Sequence, residues 1–301
     1  MTRRVALAAI LSLAACNDNH GWRLRPAIPA GPPLRIGDQL YLLTTQYHPR
    51  YRTDSEDNTR LVDRKHYTDL WTFDANTATP LSRLRLHTAT ADLGTGPAIL
   101  RAEAGKLFIR LPDGTVATPT IPSPNPAAPA YYTKTSSYVF RSRGLQMPGR
   151  WLGLLDDAEA TLFRDKNLLY PHLDRPAPRK LWSRINNVLT PLTADFQNPG
   201  LLGIQSQPLL LHNPDSVLIH HSDQQLTRIA GPAGNALWTA QLPFTVIQSV
   251  LPGHNTLVLL GAQPGPKNTT QHFITSIPLA TGTQKTYNLS LLDGNPPATN
   301  P

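Results

Sequence analysis

Apolar and β-compatible residues fall along this chain in short runs of three to eight between polar positions, and many of those runs are bounded by Gly, Pro, Asn or Asp. Such runs predict strands. They fall at 38–45, 69–74, 81–87, 106–110, 115–120, 138–140, 151–155 and 160–163. Further runs lie at 209–211, 216–220, 225–229, 236–242, 256–260, 272–279 and 284–289. Leu111-Pro-Asp-Gly114 reads as a turn between two of them. No window sustains helical spacing beyond a short turn near 181–189. Thirty prolines, scattered through all 301 residues, argue against long helices. The predicted class is all-β.

The strands carry a weak internal repeat. Leu-Trp recurs at Leu70-Trp71, Leu181-Trp182 and Leu237-Trp238. Trp71-Thr-Phe-Asp-Ala-Asn-Thr77, Gly234-Asn-Ala-Leu-Trp238 and Pro278-Leu-Ala-Thr-Gly282 resemble the blade motif of quinoprotein-type β-propellers. In that motif a strand ends in Asp-x-x-Thr-Gly and the next begins with Trp. The likeness covers fragments between 66 and 290; Ala280 stands where aspartate is usual, and the spacing is not constant. It implies a propeller and carries nothing for quinone binding. Blades of about 40–45 residues would divide 34–290 into six or seven; a paired β-sandwich is the alternative architecture. Radial blades protect their strand edges. A strand near 34–43 is expected to complete the blade that holds the last strand, near 284–289.

The first sixteen residues stand apart. Arg3 and Arg4 precede an apolar run from Val5 to Leu13, and Leu13-Ala14-Ala15-Cys16 follows. The run is too short for a membrane-crossing helix, which needs about 20 residues, and has the shape of an export signal. Leu-Ala-Ala-Cys resembles the lipobox of bacterial lipoproteins. The resemblance implies cleavage after residue 15 and lipidation of Cys16, the one cysteine in the chain. It places the protein in the bacterial cell envelope. Asn17, where aspartate favours retention in the inner membrane, leans towards a periplasm-facing outer-membrane site. Residues 16–33, with four prolines at 26, 29, 32 and 33, read as a semi-rigid tether. Residues 34–290 form the body and 291–301 a frayed tail. With Cys16 lipidated no internal disulfide is possible, so core burial must hold the fold.

The net charge of +8 is unevenly placed. Residues 1–184 hold 25 Lys and Arg against 16 Asp and Glu, and residues 185–301 hold 3 against 4. An acidic partner such as lipid headgroups or a protein face fits this bias; nucleic acid does not fit an exported protein. Two long segments are expected to be surface insertions: His48–Lys65, and 164–184. The second mixes cations with aromatics, the composition of protein interfaces. Its candidate partner-binding residues are Arg164, Tyr170, Arg175, Arg179, Lys180 and Trp182.

Catalytic signatures are sparse. There is no Gly-x-Ser-x-Gly elbow and no phosphate-cradling glycine loop. His220 and His221 are adjacent on a strand and so point to opposite faces. Asp156, Asp157 and Glu159 are expected to be a solvated turn. No catalytic residue, metal ligand or cofactor is assigned. The expected protein is a monomeric, lipid-anchored envelope propeller that binds or scaffolds another envelope protein. It resembles architecturally the propeller lipoprotein of the outer-membrane β-barrel assembly machinery, whose eight blades exceed what this length allows. An immunity lipoprotein directed at a bacterial toxin, or a hydrolase or lyase with its site in the channel, are the alternatives.

Overall fold

A computed structural model describes residues 20–22, 25–53, 58–90, 96–122, 131–133, 144–147, 149–166, 178–204, 207–212, 215–222, 224–231, 233–266 and 269–292. The chain is all-β. Its strands form five antiparallel sheets. Sheet 1 holds β1 (His20–Trp22), β2 (Ile28–Pro29), β3 (Leu34–Ile36), β4 (Gln39–Thr53), β5 (Thr59–Asp74) and β6 (Pro80–Ala89). Sheet 2 holds β7 (Ala98–Glu103), β8 (Lys106–Arg110) and β9 (Val116–Ala117). After β10 (Tyr131–Thr133), sheet 3 follows with β11 (Gly144–Met147), β12 (Arg150–Leu155), β13 (Lys180–Ile185) and β14 (Val188–Pro191). Sheet 4 takes β10 with β15 (Gly200–Leu201), β16 (Gly203–Ile204), β17 (Gln207–His212), β18 (Asp215–His221), β19 (Gln225–Ala230) and β20 (Ala236–Gln241). Sheet 5 is β21 (Val246–Pro252), β22 (Thr256–Pro264), β23 (Thr270–Pro278) and β24 (Lys285–Asn288).

Sheets 1, 4 and 5 are buried on both faces, and this sets where the core lies. Alternate residues of β4 and β5 point opposite ways. Tyr41, Leu43 and Leu70 pack against Leu107 and Ile109 of sheet 2. Leu40, Leu42, Trp71 and Phe73 pack against Val258, Leu260 and Ile274 of sheet 5. Sheet 5 meets sheet 4 through Leu257, Leu259 and Ile277 against Leu209, Leu218 and Leu226. Sheet 4 meets sheet 3 through Leu210, Val217 and Ile219 against Leu145, Leu152 and Leu154. The first sheet therefore packs on the last. Polar contacts reinforce that seam. Arg35 Nη1 donates to Thr256 O at 2.9 Å, Ser276 Oγ to Ala75 O at 2.7 Å, and Gln46 Nε2 to Leu292 O at 2.9 Å.

Several expectations are corrected. The described strands form five sheets, and the longest of these strands, β4 and β5, run to 15 and 16 residues. The segment His48–Lys65 is not a loop: its described residues continue β4 and β5, paired from Tyr47↔His66 out to Thr53↔Thr59. The last strand stays in sheet 5, paired with β23, so the two ends of the chain meet by packing rather than by a shared sheet. Leu292, expected in the frayed tail, is buried in the seam beside Leu289. The described part of the proline-rich tether lies along β4: Ile28 pairs with Thr45, Arg25 N donates to Tyr47 O, and Ala27 is buried.

Residues 160–163, expected as a strand, belong to helix α1 (Asp157–Lys166). Asp156 Oδ1 accepts from Glu159 N at 2.7 Å, and Glu159 Oε2 accepts from Asp156 N at 2.9 Å. This reciprocal cap satisfies two backbone donors and starts the helix. The short helical turn expected near 181–189 is instead the hairpin of β13 and β14, joined by a tight link at 186–187. Asn186 and Asn187, at φ 48° and 65°, both adopt the left-handed conformation of a two-residue hairpin turn.

Two histidines, the half-buried His220 and the buried His272, make stability depend on pH. Burial, with a further push from His221, lowers the pKa of His220; burial alone lowers that of His272. Both rings stay neutral in the folded chain at pH values where the unfolded chain protonates them. Their contribution is therefore present above the ordinary value of 6.5 and lost as pH falls through the lowered folded pKa. Thermal midpoints measured at pH 7.5 and 5.5 are expected to fall on acidification. The fall should be smaller in a His220→Gln, His272→Gln variant; an identical fall would contradict the assignment.

Candidate functional site

The sequence-predicted basic surface is largely consumed by the fold. Arg179 is 3 % exposed, and its Nε donates to Glu159 Oε2 at 3.1 Å. Glu159 is itself fully buried, so the expected solvated turn at 156–159 is a helix cap joined to a buried ion pair. Trp182 is buried in the sheet 3 core with Trp151, Leu155, Phe163 and Leu189, and its Nε1 donates to Leu155 O at 3.0 Å. Lys180, adjacent to Arg179 on β13, points the other way, and its Nζ meets Asp157 Oδ1 at 2.9 Å. This pairing raises the lysine pKa. Arg164 is exposed on α1. Tyr170, Arg175 and Cys16 lie outside the described residues. The six candidates thus form no single face among the described residues.

His221 is buried, with Nε2 at 3.1 Å from Thr227 Oγ1 and its ring against Phe196. Its neighbour His220 points to the other face of β18. Among the described residues no three His, Cys, Asp or Glu side chains gather closely enough to hold a metal ion.

Charge is concentrated inside sheet 1. Asp69 on β5 is fully buried. Arg85 grips it bidentately, Nε to Oδ1 at 2.9 Å and Nη2 to Oδ2 at 3.1 Å, and Arg83 Nη2 meets Oδ2 at 2.9 Å. Arg85 also stacks over Tyr67, and Arg83 lies over the edge of Trp71. Burial pushes the Asp69 carboxyl above the usual carboxylate range, against the pull of Arg85. The two arginines neighbour one another on β6 and hold one acid between them, an arrangement that fixes β6 to β5.

A groove of about 280 Å³ opens on the other side of β5 and β6, where sheet 1 meets the 119–122 segment of sheet 2. Leu70, Leu81, Leu84 and Ile121 give it an apolar lining, and Gln39, Thr72, Ser82 and Thr120 add amide and hydroxyl groups. Tyr41 closes its floor, with its hydroxyl donating to Gln39 Oε1 at 2.5 Å. Burial raises the tyrosine pKa, so the phenol is neutral. Leu81 and Leu84 are 44 % and 48 % exposed, and Leu100 and Val116 of sheet 2 are also exposed. Leu84 pairs with Leu70, and Leu81 falls at the register shift between Thr72 and Phe73, where it has no ladder partner. Their spacing of three in 81–84 breaks strand alternation, and that is the one signal of the groove in the sequence.

Sheets 4 and 5 are keyed together by a tryptophan. Trp238 packs on Gly282, where any Cβ would clash with the indole, and its Nε1 donates to Leu279 O at 2.7 Å. Gly282 has φ 72° and closes the Leu279–Gly282 turn. Asp74 and Asp113 close two other turns by accepting from Thr77 and Thr115.

The geometry defines an all-β chain of serially packed antiparallel sheets with a surface groove between the first two. No known protein family matches the chain, and no curated protein does. A solved structure that resembles it is apo AztD from Citrobacter koseri, at 8 % identity over 90 % of this chain and 82 % of that one, with a TM-score of 0.22. Among the described residues no helix is long and apolar enough to cross a membrane.

Proposed function

We propose that this chain is a lipid-anchored envelope module, built as a five-bladed propeller, that binds another protein through the groove between sheets 1 and 2. The observation carrying the binding role is the groove's exposed apolar wall: Leu81 and Leu84 are 44 % and 48 % exposed beside a lining that mixes leucine with amide and hydroxyl groups. Contiguous apolar surface rimmed by polar groups marks interaction sites. The buried acids Asp69 and Glu159 are held in ion pairs with arginine, which suits them to structure. The packing of sheet 1 on sheets 2 and 5, of sheet 5 on sheet 4 and of sheet 4 on sheet 3, with the Trp238–Gly282 key, supports the propeller over a paired sandwich. The Leu13–Cys16 lipobox supports the anchor.

A photo-crosslinking residue placed at Leu84 in living cells tests the binding surface. A discrete crosslinked partner is expected from position 84 and not from Leu237, which is equally exposed on sheet 4. No product at 84, or the same products at both positions, would overturn the groove as the binding surface.

A further inference from the structure

The path of the N-terminal segment places one end of the body against the membrane. The described residues among 20–36 do not leave the fold as a free tether but lie beside β4 near its far end, its middle and its start. β1 pairs with its far end (His20↔Arg52, Trp22↔Arg50), β2 with its middle (Ile28↔Thr45) and β3 with its start (Leu34↔Tyr41). A free proline-rich spacer of 17 residues would reach about 50 Å at ~3.1 Å per residue. Here only residues 17–19 separate Cys16 from a paired strand. At no more than ~3.6 Å per residue, the Cys16 Cα lies within about 14 Å of that of His20.

We infer that the far end of the β4–β5 hairpin rests on the phospholipid surface, held there by the short link to Cys16; this inference rests on the lipid-anchor reading above. The side chains at that end suit a headgroup layer. Leu61, across from Tyr51 in the ladder, is 45 % exposed, and the exposed Arg60 and Arg64 flank it. Arginines keep their charge in water while their stems cover apolar surface, and aromatic and basic residues collect at membrane interfaces. The contact does not rest on lipid charge. Between 46 and 66, Arg50, Arg52, Arg60, Arg64 and Lys65 face Asp54, Glu56, Asp57 and Asp63, so the segment is close to neutral. The opposite end of sheet 1 joins sheet 5 through Ala75 and Ser276, the partner of Lys285, so Lys285 points away from the bilayer.

The full chain, processed in a bacterial host and reconstituted into phosphatidylcholine vesicles carrying doxyl-labelled lipid, tests this. A fluorophore is attached at Leu61→Cys in one sample and at Lys285→Cys in another. Several-fold stronger quenching is expected at 61 than at 285, unchanged when phosphatidylglycerol is added to the vesicles. Mass spectrometry of Cys16 separates the two readings. Acylated Cys16 with equal quenching at both positions overturns the docking and leaves the anchor standing. An unmodified Cys16 overturns the anchor and the docking with it.

Discussion

Removing residues 289–301 is expected to abolish cooperative unfolding. Leu289 is fully buried and Leu292 is 3 % exposed, both in the seam between the first and last sheets. The carbonyl of Leu292 also accepts from the Gln46 amide across that seam. Deleting one buried leucine costs about 2–5 kcal/mol. Losing two, with the seam left open to water, costs on the order of the whole 5–15 kcal/mol stability of a domain. Circular dichroism and tryptophan fluorescence followed on heating should give a broad transition in the truncated chain. The full-length Leu289→Ala, Leu292→Ala variant should show much of the same loss. A sharp transition at an unchanged midpoint in either protein would contradict the seam.

The second large effect is expected at Asp69. In Asp69→Ala the guanidinium groups of Arg83 and Arg85 lose their common partner. Removing one member of a buried ion pair typically costs 3–5 kcal/mol, because the remaining charge is left uncompensated. The Arg85 side chain is 37 % exposed and can turn to water, whereas that of Arg83 is 8 % exposed and cannot. The expected loss is therefore at the lower end, about 3 kcal/mol by urea denaturation. Replacing all three residues together (Asp69→Leu, Arg83→Met, Arg85→Leu) should restore most of it. A single variant within 1 kcal/mol of wild type would show that the arginines are already solvated, and would contradict a buried triad.

The strands were the most legible part of the sequence. The apolar runs in 38–45 and 256–260 report local burial, and β4 and β22 are built on those residues. Such a run says that Leu42 is buried but not against what, so the meeting of sheets 1 and 5 was not readable. Nor was α1, whose start depends on a reciprocal cap between Asp156 and Glu159 rather than on apolar periodicity. The basic segment misled for a related reason. Composition counts Arg179, Lys180 and Trp182 alike, while successive strand residues face opposite ways, and two of the three are buried. The tether misled because prolines break a strand into short pieces without preventing it from lying along an edge. The groove was hidden because the pairing behind it, Leu84 with Leu70 and Leu81 at a register shift, is visible only in the folded ladder.

Closure of the first sheet on the last is the claim on which the rest of this architecture depends, and a crosslink tests it most directly. Thr256 Oγ1 donates to Asn76 Oδ1 at 2.8 Å across the seam. That contact sets the two side chains against one another across the seam, so thiols placed at these positions lie close enough to react. In a Cys16→Ser background, Asn76→Cys with Thr256→Cys is expected to form an intramolecular disulfide under mild oxidation. It should be detected as a linked peptide pair and a faster non-reducing gel mobility, and either single variant should show neither. Two thiols that remain free in the folded double variant would contradict the closure.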